Sequence, residues 1–252
     1  MASTAPYLCG VRVVPERLPK ERTYPFDLGY VPSLNLNIDN AVTFFVGENG
    51  SGKSTLIEAL AVLSGLPVSG GSRNEVGSGH GPEADSVLSR VLRPSFSRRP
   101  RDGYFLRAEF QAHFASLLDA RKEDVDFLGD PYALYGGRSL HTRSHGEAFL
   151  AVLQNRIHEG LFFLDEPESA LSPQRQLALL VLMDDLIKEG RSQFIIATHS
   201  PVLMTYPGAT IVSFDSDDLK SIALEDTEHY QITRGILGDP VLYWKHLRDE
   251  QE

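Results

Sequence analysis

An apolar run that ends in a glycine-rich turn constrains this chain more than any other feature. Val42, Thr43, Phe44, Phe45 and Val46 are β-branched or aromatic and predict a buried strand. Gly47-Glu48-Asn49-Gly50-Ser51-Gly52-Lys53-Ser54-Thr55 follows directly. Over residues 53–63, Leu56, Ile57, Leu60 and Leu63 recur at helical spacing. Strand, turn and helix therefore surround a match to G-x-x-x-x-G-K-[ST] in the context that motif requires. Glycine lets the backbone wrap closely around phosphate with its N–H groups inward. The helix that follows directs its positive end at the same anion. Lys53 is expected to reach the β- and γ-phosphates, and the Ser54 hydroxyl to ligate Mg²⁺.

Two further segments supply chemistry. Leu161-Phe162-Phe163-Leu164 predicts a buried strand that delivers Asp165 and Glu166 at its carboxyl end, where ligands bind in open α/β sheets. Asp165 is expected to hold Mg²⁺ and Glu166 to polarise the attacking water as a general base. An apolar run followed by Asp-Glu can also be a strand that simply reaches the surface. The phosphate-loop motif favours the functional reading. His199 follows the apolar run 194–197 and lies 33 positions after Glu166, with a helix and a strand predicted between them. That order puts it within reach of a γ-phosphate.

Alternating strands and helices imply an α/β fold with a mostly parallel sheet. Strands are expected over 104–110, 161–164, 194–197 and 211–214. Helices are expected over 112–121, 144–157, 173–188 and 241–248, the third opening at Ser172 as N-cap. Residues 69–85 are rich in Gly, Ser and polar groups and read as a loop. Arg90, Arg93, Arg98, Arg99 and Arg101 follow, readable as a solvated loop or as a local anion-binding patch. Residues 225–238 are polar with embedded apolar positions. They read either as a solvated face or as a contact to a partner or to the nucleotide site, with His229 and Tyr230 as probes.

Charge narrows the partners. Lys and Arg number 24 against 34 Asp and Glu, a formal net charge of −10. That balance disfavours indiscriminate nucleic-acid binding. The single cysteine, Cys9, rules out an intrachain disulfide and suits a reducing compartment. No apolar run approaches the roughly 20 residues of a membrane-spanning helix, and residues 1–10 do not read as a signal peptide. A cytoplasmic location is the expectation.

GENGSGKST from Gly47, RSHGEAFL from Arg143, LFFLDEPESALSP from Leu161 and ATHSP from Ala197 together resemble the ATP-binding-cassette superfamily. The likeness is to the branch that includes SMC, RecF and OLD-type ATPases, and within it to small bacterial AAA-family ATPases. It implies a phosphate-loop NTPase core with an antiparallel N-terminal β region and a helical subdomain that carries the signature motif. One domain over 1–252 is expected, with a core of about 1–68 and 159–252 and an insertion of about 69–158. In such proteins a signature loop contacts the γ-phosphate bound to a second subunit. The matching residues are Ser144 and Gly146, although Arg143 and His145 depart from the usual pattern. An ordinary capping box of Ser144 with Glu147 is the alternative. Gln111 matches the family's glutamine loop as a metal ligand, or is an exposed helix-start residue. Ser169 to Ser172 resembles the loop that crosses between subunits. Tyr24 or Phe26 is the candidate adenine-stacking ring, with packing as the alternative.

The resemblance implies ATP and Mg²⁺ as ligands, ATP hydrolysis, and a head-to-tail homodimer formed on ATP binding. Three outputs are compatible with it. The first is a switch acting on DNA or a protein effector. It would lack a long coiled coil, because only 90 positions separate Ser54 from Ser144. The second is the ATPase subunit of a membrane transporter; the departing signature does not favour it, so a membrane partner is not expected. The third is a slow nucleotide-dependent module paired with an effector.

Overall fold

Three apolar runs lie side by side at the centre of the molecule. They are β3 (Val42–Val46), β7 (Gly160–Asp165) and β8 (Ser192–Ala197), and every residue in them is buried. The computed structural model describes residues 5–72, 86–107, 118–119, 122–123, 129–133, 137–139, 142 and 145–249. The other strands are β1 (Leu8–Val13), β2 (Asn35–Asn37), β4 (Gly71–Ser72), β5 (Leu92–Phe96), β6 (Gly103–Arg107), β9 (Thr210–Ser213) and β10 (Lys220–Ile222). The helices are α1 (Lys53–Leu63), α2 (His145–Arg156), α3 (Pro173–Lys188), α4 (Pro201–Met204), α5 (Glu228–Gly238) and α6 (Pro240–Asp249).

The main sheet runs β10-β9-β3-β8-β7-β6-β4. Pairings from β9 to β6 are parallel, and the two outermost, β10 with β9 and β4 with β6, are antiparallel. Alternate side chains along each strand enter opposite faces. Phe44, Phe162, Phe194 and Ile196 pack with Phe149 and Leu153 of α2 and Leu179 and Met183 of α3. Phe45, Phe163 and Ile195 pack with Leu56, Ile57 and Leu60 of α1. The sheet is thereby covered on both sides, which is why its central strands are buried on both faces rather than alternating.

A second sheet, β2-β1-β5, is antiparallel. Its apolar side chains join the α1 face of the core. The buried amide of Gln193 ties it down. Its Oε1 accepts from the Tyr7 and Leu8 N–H groups at 2.8 and 2.9 Å, and its Nε2 donates to the Leu8 carbonyl at 2.8 Å.

The expected fold class holds, including the antiparallel N-terminal β region. The helices expected over 53–63 and 173–188 have those bounds, and Ser172 is the N-cap of α3. Three expectations change. The segment 69–85 contains β4, and residues 73–85 lie outside the described residues. The arginine cluster is only partly a loop: Arg90 sits in a 3-10 turn and Arg93 in β5, while Arg98, Arg99 and Arg101 lie in the exposed segment after β5, Arg98 and Arg99 over the rings of Tyr7 and Phe96. Within 225–238, residues 228–238 form a helix, α5, capped by Thr227, whose Oγ1 accepts from the Tyr230 N–H. The helix expected over 112–121 falls almost wholly outside the described residues. α5 and α6 form a C-terminal hairpin on which Leu237, Val241 and Trp244 are 75%, 82% and 56% exposed.

Candidate nucleotide site

The parallel strands end along one edge, and the candidate residues follow those ends. The loop 47–52 leaves β3 and enters α1. Gly52 has φ 92°, a left-handed conformation, and a Cβ there would lie 2.7 Å from Leu28 Cδ1, so glycine is required on both counts. The Tyr30 hydroxyl donates to the Gly52 carbonyl at 3.0 Å. Asp215, just after β9, accepts the Glu48 N–H at 3.0 Å. The loop is thus braced from behind and from the side.

Lys53 is 4% exposed. Its Nζ donates to the carbonyls of Gly47 and Glu48 at 2.7 and 2.8 Å, so the ammonium lies inside the loop's curl. Burial pulls its pKa down, while Glu166, Asp215 and Asp165 oppose the shift. Tyr24 stands at the mouth, its hydroxyl 2.5 Å from Thr55 Oγ1. A cleft of about 170 Å³ is lined by Tyr24, Asn49, Lys53, Ser54, Thr55 and Glu166.

Ser54 Oγ donates to Asp165 Oδ1 at 2.9 Å. Burial pushes the Asp165 carboxyl up to about 6, against the opposing Ser54 hydrogen bond and the Arg107 guanidinium. Arg107, at the end of β6, lies opposite Asp165 in the sheet register, with Nε 3.6 Å from Oδ2. It also pairs with Glu58 at 2.6 Å. A hydroxyl and a carboxylate side by side suit a hard cation that takes oxygen ligands. Among the described residues no cluster of three or more His, Cys, Asp or Glu could hold a metal alone.

Glu166 has φ 48° and ψ 53°, the one positive φ outside glycine among the described residues. Such a conformation is costly away from glycine and clusters at functional sites. Three hydrogen bonds hold it: the Glu166 N–H donates to the Ala197 carbonyl at 2.9 Å, and the Ser169 Oγ and N–H donate to the Glu166 carbonyl at 2.8 and 3.1 Å. The His199 ring lies beside its carboxylate, Nε2 to Oε1 3.6 Å. The His199 N–H is held by Glu168 Oε1 at 2.5 Å. Burial and nearby Lys53 pull the His199 pKa down. On its far side, His199 Nδ1 is 2.8 Å from His229 Nε2.

Lys53, Ser54, Asp165, Glu166 and His199 are therefore brought together. Gly146 is not among them. It is buried in α2, where a Cβ would meet Arg175 and the Ala170 carbonyl. Ser144 and Gln111 lie outside the described residues. Phe26 packs against the core, leaving Tyr24 as the ring at the cleft. Arg107, Asp215 and Glu168 were not singled out from the sequence. Only Glu168, a third carboxylate in the Asp165-Glu166 segment, carried a signal.

Comparisons with known proteins place the chain in a family. A putative ATP-binding protein of an ABC transporter from Pyrococcus furiosus is 27% identical over 241 residues, covering 83% of this chain and 88% of that one. ABC multidrug transporter C of Aspergillus fumigatus is 24% identical over 190 residues, 65% of this chain, and the match spans only 12% of the transporter. The solved structure of cbiO1 from Clostridium perfringens, part of the ABC transporter complex cbiONQ, has TM-score 0.50 at 18% identity, covering 96% of this chain and 99% of that one. At that identity it establishes the fold alone. The family described as "AAA domain, putative AbiEii toxin, Type IV TA system" matches residues 42–122 and 147–205, more than half of the chain. The chain belongs to that family, within the ATP-binding-cassette superfamily of ATPases.

Proposed function

We propose that this protein binds ATP with Mg²⁺ in the 47–55 loop and hydrolyses it to ADP and phosphate. The convergence of Lys53, the Ser54–Asp165 pair, Glu166 and His199 on one sheet edge carries this reading. Lys53 leaves the Gly47 and Glu48 carbonyls for phosphate oxygens as backbone N–H groups of the loop take up the rest of the charge. Ser54 and Asp165 hold Mg²⁺, which supplies charge neutralisation on the phosphates. Glu166 accepts a proton from the attacking water. His199 contacts the γ-phosphate, and Tyr24 offers a ring to the adenine.

The reading extends to a head-to-tail dimer in which Ser144 and the backbone at Gly146 of a second copy complete the site. Gly146 packs against the Ala170 carbonyl and Arg175 of its own chain. The test is phosphate release together with solution mass by light scattering. Glu166→Gln is expected to lower turnover by about 100-fold or more and to trap a dimer with Mg²⁺-ATP. ATP binding without a change in mass would overturn the dimer. Absence of turnover in the unaltered protein would overturn the ATPase reading.

A second reading has support from the relatives, which are named as transporter ATP-binding proteins. They weigh against setting a membrane partner aside. In this reading the protein energises a separate membrane-spanning subunit; no described helix is long and apolar enough to cross a membrane. Stimulation of turnover by a co-purifying membrane protein, rather than by DNA or a soluble effector, would favour it.

A further inference from the structure

The His199–His229 contact draws a C-terminal helix into the nucleotide site. His229 lies in the first turn of α5, 30 positions beyond His199. It falls outside residues 42–122 and 147–205, the part of the chain that matches the family. The rings are 4.8 Å apart between centroids and tilted by 57°. With Nδ1 and Nε2 separated by 2.8 Å, one proton lies between them, and one ring donates it to the other.

The surroundings decide which ring donates. His199 Nε2 is buried and has no hydrogen-bond partner among the described residues, and the Glu166 carboxylate lies 3.6 Å from it. A bare Nε2 lone pair facing that carboxylate would be repulsive; an N–H there is attractive. The His199 proton therefore belongs on Nε2. Its Nδ1 is then an acceptor, and the donor must be His229 Nε2. Neutral imidazole has two tautomers, and the bond made at one nitrogen selects the other's protonation.

We propose that His229 is a positioning residue, whose Nε2–H donates to His199 Nδ1 and so keeps the His199 proton on Nε2, aimed at Glu166 and the γ-phosphate. The inference rests on the ATPase reading for its kinetic consequence but not for the tautomer itself. The His199 main chain is anchored independently by Glu168. Loss of His229 thus frees the ring without releasing the loop. Thr227 fixes the donor end: it is buried, donates to the Leu224 carbonyl at 2.7 Å and caps α5. Any displacement of the C-terminal hairpin that withdraws His229 lets His199 adopt the tautomer that presents a lone pair to phosphate, and turnover falls.

The test uses the full chain labelled with ¹⁵N-histidine, with the His199 signals assigned from a His199→Gln variant. Long-range ¹H–¹⁵N spectra distinguish the tautomers. The unaltered protein should show His199 protonated at Nε2. His229→Phe keeps a ring but removes the donor; it should convert His199 to a mixture. It should also lower kcat by about 10- to 100-fold, the usual effect of losing an orienting partner, with KM for ATP within about twofold. His229→Gln, whose side-chain N–H occupies the Nε2 position, should recover most of both. A His199 protonated at Nδ1 in the unaltered protein overturns the proposal even if a variant fails to fold. So does a His229→Phe protein with unchanged kcat and spectrum, or a folded His229→Gln protein no better than His229→Phe. Lack of ATP turnover in the unaltered protein would defeat the ATPase reading and leave the spectra to decide the tautomer.

Discussion

Ser54 Oγ and Asp165 Oδ1 lie 2.9 Å apart although 111 positions separate them in the chain. The sheet makes that meeting possible, because α1 begins at the end of β3 and Asp165 ends β7, with only β8 between the two strands. The two oxygens share one buried position, and burial there disfavours the ionised form of the carboxylate.

That burial has a measurable pH signature. Burial raises the Asp165 carboxyl to about 6, above its ordinary value. Its contribution to stability is full below the unfolded value of about 4 and is lost as pH rises through the folded one. Asp165→Asn should therefore unfold at a higher midpoint than the unaltered protein at pH 8 without nucleotide, by about 1–3 kcal/mol. The two should converge near pH 4. Equal midpoints at pH 8 would refute the buried charge. With Mg²⁺-ATP present the order should reverse, since the ionised form is the one that holds the metal.

Arg107 favours that ionised form from 3.6 Å. Replacing it by Met keeps the apolar stem and removes the charge. The acid limb of Mg²⁺-dependent turnover should then move to higher pH by about half a unit to one unit. A pH profile of kcat/KM that keeps its limb in place would mean that Arg107 serves Glu58 alone.

Gly146 has a packing role that any trans role must share. A Cβ there would lie 2.8 Å from the Ala170 carbonyl, a backbone atom, and would also meet Arg175. Gly146→Ala should cost about 1–3 kcal/mol in denaturant unfolding, already in the nucleotide-free protein. If stability is unchanged and only ATP-dependent assembly is lost, the residue acts at the dimer interface alone.

Gln193 is the polar link between the two sheets. Gln193→Leu leaves the Tyr7 and Leu8 N–H groups and the Leu8 carbonyl without these partners in a buried place. A loss of about 2–4 kcal/mol is expected. Protection of the β1 amides against hydrogen exchange should fall first. Uniform protection would show that the apolar contacts of β1 suffice.

Lys53 and Ser54 were legible from the glycine-rich motif after an apolar strand, and Asp165, Glu166 and His199 because each stands at or just past the end of one. In a parallel sheet that alone sends a residue to the ligand edge. Arg107 and Asp215 also follow strands, but no local pattern marks an arginine or aspartate there as functional. Their roles come from register and loop docking. β1 was hard to read: burial does not alternate strictly along it, because its pairing with β5 shifts register between Leu8 and Gly10. α5 was missed because two glycines, Gly235 and Gly238, and few apolar residues weaken its helical signal. Its tertiary contact to His199 could not be read from spacing at all.

The C-terminal hairpin has one more property. Trp244, 56% exposed on α6, is the only tryptophan of the chain, and α6 packs back on the helix that carries His229: Tyr243 lies against Gly235. The protein thus carries an intrinsic optical gauge on the hairpin that touches His199. Ultraviolet-excited emission, with no dye attached, reads the surroundings of that hairpin.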